Sequence, residues 1–128
     1  MKKMFSVIAV AILAVSFSSC RKLADTLPGT WNISEIKTQP PSGPATTVTN
    51  AGTMTFAAGG SGTYSILVFG NPVTGGFSWV ASENGTNVTL SGFNIVAGQY
   101  TVLTNKPKKQ VWQRLDSDQT THTYTLER

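Results

Sequence analysis

From Leu27 onward, apolar and polar residues alternate in short runs separated by turn-forming residues. A period of two puts successive side chains on opposite faces, so the pattern predicts β-strands, not helices. Trp31 and Ile33 share one face of the first run, with Asn32 and Ser34 on the other. Further rows follow: Met54 with Phe56; Tyr64, Ile66 and Val68; Phe77, Trp79 and Ala81; Val88 with Leu90; Tyr100 with Val102; Tyr124 with Leu126. In the run Val111 to Leu115, Trp112 and Arg114 alternate with Val111, Gln113 and Leu115, which predicts apolar groups on both faces. Gly59-Gly60, Asn105-Lys106-Pro107-Lys108 and Asp116 to Gln119 read as turns, and Asn84-Gly85 is the strongest hairpin signal. Asn71-Pro72 and Gly75-Gly76 are expected to bracket a longer turn, and Gly92 to Gly98 a broken connection. The segment Thr38 to Thr47 holds Pro40, Pro41, Gly43 and Pro44 and is expected to be the longest loop. About eight strands with hairpin connections, and no helix after the N-terminal segment, predict an all-β fold: an antiparallel barrel or sandwich.

The N-terminus breaks this pattern. Lys2 and Lys3 precede an apolar run from Phe5 to Phe17, interrupted only by Ser6 and Ser16. A charged head before a short apolar stretch has the form of an export signal. The stretch is shorter than the roughly 20 apolar residues a spanning helix needs. Ser18 and Ser19 then precede Cys20, the chain's one cysteine. This resembles the lipobox of bacterial lipoproteins, in its looser Ser-Cys form familiar from Bacteroidetes. The resemblance implies that residues 1–19 are a signal peptide, cleaved off, and that Cys20 is lipidated. Residues 20–26 would then form the lipid-bearing tether. A free thiol without an intramolecular partner would be out of place in an oxidising compartment, and lipidation removes that difficulty. Two or more acyl chains hold a protein at a membrane stably where one does not. Arg21, not an aspartate, follows the cysteine, and no acidic cluster comes after it. In the lipoproteins this segment resembles, an aspartate there retains the protein in the inner membrane and an acidic cluster promotes surface display. The resemblance therefore implies the cell envelope, on the outer membrane facing the periplasm.

Cleavage also changes the charge. The whole chain carries +4, but removing Lys2 and Lys3 leaves eight Lys and Arg against six Asp and Glu, a net +2. The remaining positive charge is scattered apart from Lys106, Lys108 and Lys109, with none of the extended basic face and interleaved aromatics that nucleic acid requires. The expectation is no nucleic-acid partner.

Leu27-Pro28-Gly29-Thr30-Trp31 is similar to the Gly-x-Trp opening of the lipocalin superfamily's first strand. Met54-Thr55-Phe56 with Gly62-Thr63-Tyr64, then Phe77-Ser78-Trp79, then Tyr124 to Arg128, resemble small lipocalin-like lipoproteins of Bacteroidetes. The resemblance spans most of residues 27–128 and implies an eight-stranded up-and-down antiparallel barrel. It also implies an arginine packed over Trp31 to close one end, with Arg128 first and Arg114 second as candidates. An eight-stranded barrel is just wide enough to be filled by its own side chains or to hold one small ligand. Trp31, Phe56, Tyr64, Phe77, Trp79 and Tyr100 are the bulky inward row. They are either the core or, in part, the lining of a cleft for a small hydrophobic molecule oriented by the hydroxyls of Tyr64 or Tyr100.

Catalytic chemistry finds no support. His122 is the one histidine, expected to be exposed in a Thr-rich strand, so a multi-histidine metal site is excluded within one chain. No Gly-x-Ser-x-Gly elbow accompanies the serines, and no carboxylate spacing suggests glycoside hydrolysis. Asp116 and Asp118 read as turn formers. The expectation is therefore not an enzyme, without metal or cofactor. Three roles remain: a membrane-anchored binder of a small hydrophobic molecule, an accessory lipoprotein that docks another envelope protein through its outer surface, and, with least support, an enzyme or inhibitor working through a loop.

Overall fold

A computed structural model describes residues 22–92 and 95–128. The expected signal segment, with Cys20 and Arg21, lies outside these residues. The alternating runs form eight strands: β1 (Gly29–Gln39), β2 (Thr46–Phe56), β3 (Ser61–Val68), β4 (Asn71–Ala81), β5 (Asn87–Ser91), β6 (Gly98–Lys106), β7 (Lys109–Leu115) and β8 (Thr121–Glu127). Each pairs antiparallel with its neighbour in sequence, and β8 pairs with β1, so the sheet closes into an up-and-down barrel. Closure removes most of the unpaired edge that eight short strands would otherwise expose, leaving parts of β2, β3 and β4 without a partner on one side.

In such a meander the connections alternate between two ends. The near end, where the described chain enters, carries the turns around Gly59, Gly85 and Pro107, together with Arg128. At the far end lie the β1–β2 hairpin loop, the Phe69-Gly70 turn, the segment before β6 and the turn around Ser117.

The barrel is filled. Phe56 sits at the centre of an edge-to-face cluster, its ring 5.4 Å from Phe77, 5.7 Å from Trp79 and 5.6 Å from Trp112. Tyr100 continues it, 5.8 Å from Trp112 and 5.6 Å from Tyr124. These separations and the tilted rings are the arrangement that aromatic quadrupoles favour. Room for so many rings comes from glycine across the ladder. Gly62 pairs with Phe77 and Gly75 with Tyr64, and a β-carbon at either glycine would overlap its partner's ring. The glycines let the sheet curve while the opposing aromatics cover them. Outward positions of β1 to β4 carry Thr30, Asn32, Thr55, Thr63, Ser65 and Thr74, so hydroxyls face out and apolar groups in.

Four local expectations change. Residues 23–26 are not a polar tether but a single helical turn, α1 (Leu23–Thr26), with Leu23 and Leu27 fully buried beneath the barrel. Strands run further into the Pro-rich segment than proline content suggested: β1 reaches Gln39 and β2 starts at Thr46, leaving only residues 40–45 as loop. No turn spans Asn71 to Gly76; β4 begins at Asn71, and Pro72 pairs with Leu67 without interrupting the ladder. In β7 the inward row is Gln110, Trp112 and Arg114, and Leu115 is exposed.

Candidate ligand-binding site

The near end is sealed by side chains that serve structure. Trp31 is completely buried and donates its Nε1–H to the Leu27 carbonyl at 2.8 Å. The Arg128 guanidinium lies over the Trp31 ring, 4.1 Å from its centroid. It also donates to three backbone carbonyls: Nε to Pro107 at 2.8 Å, Nη1 to Pro28 at 3.0 Å and Nη2 to Thr26 at 2.9 Å. One planar fork therefore ties α1, the start of β1 and the β6–β7 turn together. Arg114, the second candidate, lies instead over Tyr100 at 5.4 Å.

The six aromatics singled out from sequence are all brought together, and all are buried. They pack on one another as the filling of the barrel. Tyr100 donates its hydroxyl to the Val96 carbonyl at 2.6 Å and accepts from Arg114 Nη1 at 2.8 Å, so it is committed within the core. Burial pushes the phenols of Tyr100 and Tyr124 above their ordinary range.

Above these phenols, at the far end, a polar network closes the mouth. Arg114 Nε donates to Asp116 Oδ1 at 3.2 Å, and His122 Nε2 lies 2.7 Å from Asp116 Oδ2. Thr38 Oγ1 stands 3.5 Å from His122 Nδ1. His122 is thus not the exposed residue its Thr-rich surroundings suggested, with a side chain only 19% accessible. Its even-numbered register with Tyr124 and Leu126 points it inward. The adjacent turn is fixed by Asp118, which accepts from the Thr120 N–H at 2.9 Å, a bond that lowers its carboxyl pKa. Among the described residues, no three His, Cys, Asp or Glu side chains gather as a metal site would require.

The apolar opening lies elsewhere at this end, between two hairpins. Ile33 pairs with Gly52 and Glu35 with Thr49, so Asn50 and Ala51 together oppose the single residue Ser34. This is a β-bulge, a feature that bends a strand and often stands beside functional sites. Asn50 carries it in a left-handed conformation, φ 50°, which asparagine tolerates better than most residues. Beyond the bulge, β2 parts from β3, whose ladder with it stops at Gly52 and Ile66. The result is a notch of about 530 Å³ whose lining includes Ile36, Val48, Ile66, Leu67, Val68 and Phe69, with no charged residue. That volume lies within the usual range of small-ligand sites.

Phe69 forms the lip of the notch. Its side chain is 100% exposed, and its φ of 51° is followed by 81° at Gly70. With Val68 paired to Asn71, Phe69-Gly70 is a two-residue hairpin loop with positive φ at both positions. Asparagine-glycine is the favoured pair for such a loop, and a bulky aromatic there is strained. The inward row expected from sequence ended on Val68; the structure leaves Val68, Leu67 and Val48 substantially exposed instead. A signal was present: Ile66-Leu67-Val68-Phe69 breaks the period of two with four consecutive apolar residues, directly before Gly70.

No family model matches the chain, and no curated protein matches it. Among solved structures, it is similar to a redesigned β-barrel at 18% identity and a TM-score of 0.47, covering 84% of this chain and 95% of that one. A de novo designed fluorescence-activating β-barrel matches at the same 18% identity and TM-score of 0.47, covering 84% of this chain and 98% of that one. These likenesses concern fold.

Proposed function

We propose that this chain is a membrane-anchored envelope lipoprotein whose barrel binds a hydrophobic ligand in the far-end notch, not in its interior. The observation that carries this reading is the notch itself: an uncharged apolar opening of about 530 Å³, lipped by a fully exposed Phe69. A mutually packed aromatic interior leaves ligand binding to the surface, and contiguous exposed apolar groups mark interaction sites. The anchor rests on the Ser19-Cys20 lipobox resemblance, with the outer membrane, periplasmic face, as its location. In this reading the protein is not an enzyme. The His122–Asp116 pair has Arg114 on its other carboxylate oxygen and works as a structural tie across β7, β8 and β1.

The filled barrel with an exposed patch also favours the second role, docking of another envelope protein through the outer surface. The test of the site is native mass spectrometry of the protein purified from its own envelope. A reproducible extra mass, absent from a Val48→Lys variant, supports a ligand in the notch. The same extra mass on both proteins places the ligand elsewhere and refutes the site. The anchor is tested by Cys20→Ala: if that variant still partitions into the Triton X-114 detergent phase, lipidation at Cys20 is wrong.

A further inference from the structure

The notch is more than an apolar hollow, because its walls are strand edges. Thr46 to Thr49 pair with β1 on one side, and on the other the β2–β3 ladder reaches no higher than Gly52 and Ile66. Leu67 and Val68 likewise pair with β4 alone. Two edges here diverge and face each other across the apolar notch, whereas another stretch without a neighbouring ladder, Asn71 to Phe77 on the β5 side of β4, does not line it. Backbone N–H and C=O groups along such edges lack ladder partners, and proteins ordinarily protect them with lysine, proline or an inward charge. The run Thr46-Thr47-Val48-Thr49-Asn50 contains none of these, and four of its residues are β-branched.

Two surfaces must therefore be complemented at once. The apolar side chains Ile36, Val48, Ile66, Leu67 and Val68 call for apolar contact. The edges call for donors and acceptors at a strand's spacing. A hydrocarbon or a flat aromatic molecule satisfies only the first. An extended peptide satisfies both, with its main chain on the edge and alternate side chains in the notch. The absence of charge in the lining selects uncharged side chains facing it, since a buried unpaired charge is costly. The notch opens at the end opposite Lys22, so an occupant arrives from the side away from where the chain enters the barrel. Phe69 on the lip, held in a backbone conformation costly for an aromatic, is placed to close over that strand.

From this geometry we infer that the ligand of the notch is an uncharged, apolar, extended segment of another protein, added as a strand to the open edge of β2. This rests on the reading of the notch as the binding site and names the class of its ligand.

The test uses the full-length chain in lipid nanodiscs, with empty nanodiscs as the blank and two probes. One is N-phenyl-1-naphthylamine, an apolar molecule with no strand to offer. The other is the acetylated, amidated peptide Thr-Val-Thr-Ile-Thr-Val-Thr, together with versions N-methylated at alternate amides in both phases. The expected result is that the peptide displaces the naphthylamine and that one N-methylated phase binds roughly tenfold or more weakly. Val48→Lys, a substitution at an exposed edge position, weakens both probes to a similar degree. Naphthylamine binding that depends on Val48 but is not displaced by peptide, or equal affinity for all methylated forms, overturns the peptide inference and leaves the apolar site standing. If neither probe binds, both readings fall. A dimer in sedimentation velocity that Val48→Lys dissociates makes a second copy the occupant and overturns the inference of a different partner.

Discussion

The two ends of this barrel are built from similar residue types and finished in opposite ways. At the near end an aromatic, Trp31, is completely buried, its N–H bonded and its face covered by Arg128. At the far end an aromatic, Phe69, is fully exposed on a turn whose backbone is unsuited to it. The near end recruits a helical turn, α1, so that Leu23 and Leu27 plug the opening. At the far end a bulge drives two hairpins apart and leaves apolar side chains and strand edges open. The near-end groups named here are bonded or buried, whereas the far-end notch leaves Val48, Leu67, Val68 and Phe69 exposed side by side.

The comparison breaks most severely at Trp31. Trp31→Ala removes a fully buried indole, the surface under Arg128 and the bond to Leu27, and is expected to cost about 3–5 kcal/mol. Guanidinium unfolding followed by tryptophan fluorescence measures it. A loss below about 1 kcal/mol would mean that the near end does not hold the barrel shut.

Raising the pH attacks the same fold from the phenols beneath the polar mouth. Burial holds Tyr100 and Tyr124 above the usual phenol range of about 10. A raised folded-state pKa means the unfolded chain releases these protons first. Their contribution is fully present below the unfolded pKa and is lost as pH climbs through the folded value. Above about pH 10, stability should fall by up to about 1.4 kcal/mol per pH unit for each of the two. Absorbance at 295 nm should show both ionising together with the loss of near-ultraviolet circular dichroism. Ionisation of either within an intact barrel would contradict their burial.

Arg128 separates the two ends more finely. Arg128→Ala frees three carbonyls and uncovers Trp31, with an expected loss of about 1–3 kcal/mol and no effect on ligand uptake at the far end. Arg128→Lys should recover little of it, because a single ammonium cannot reproduce the planar fork over the ring. Equal stability of the lysine variant and the parent would show that charge alone suffices.

Apart from α1, which was expected as a tether, the near end was more legible in the sequence than the far end, for a physical reason. Burial imposes periodicity: Trp31 with Ile33 and Tyr124 with Leu126 repeat every second residue because each faces the same interior. Such rows gave an antiparallel all-β fold, barrel or sandwich, and the family resemblance selected the barrel. The expectation of a terminal arginine near Trp31 came from a family resemblance, and Arg128 stands there at 4.1 Å. What the rows cannot report is where a ladder stops. The notch depends on the bulge at Asn50 and on the register of β2 against β3, both of which arise from long-range pairing. Pro40, Pro41 and Pro44 hid the upper strands, because proline reads as a breaker even where only a short tip is irregular. His122 was misjudged for a similar reason. Its threonine neighbours face outward, and only the parity of β8 reveals that it faces in.

The smallest expected effect on stability is the one that separates the two ends most sharply. Phe69→Asn replaces a strained, solvent-exposed aromatic by the residue its turn prefers, and Asn-Gly is the favoured sequence for a loop with positive φ at both positions. No packed contact is lost, since Phe69 is fully exposed, so the relief of left-handed strain should raise stability by about 1 kcal/mol. The same substitution removes the lip of the notch, and affinity for the apolar probe or the strand peptide should fall. Chemical denaturation and the probe titration, made on one sample, read both quantities. A gain in stability with a loss of binding would mark Phe69 as held in a costly conformation for the sake of its ligand. If the variant is more stable and binds as well as the parent, Phe69 does nothing for the site, and the far end is open without being used there. A loss of stability would mean that the ring makes contacts within the barrel, and the contrast between a sealed end and an available one would fail at its sharpest point.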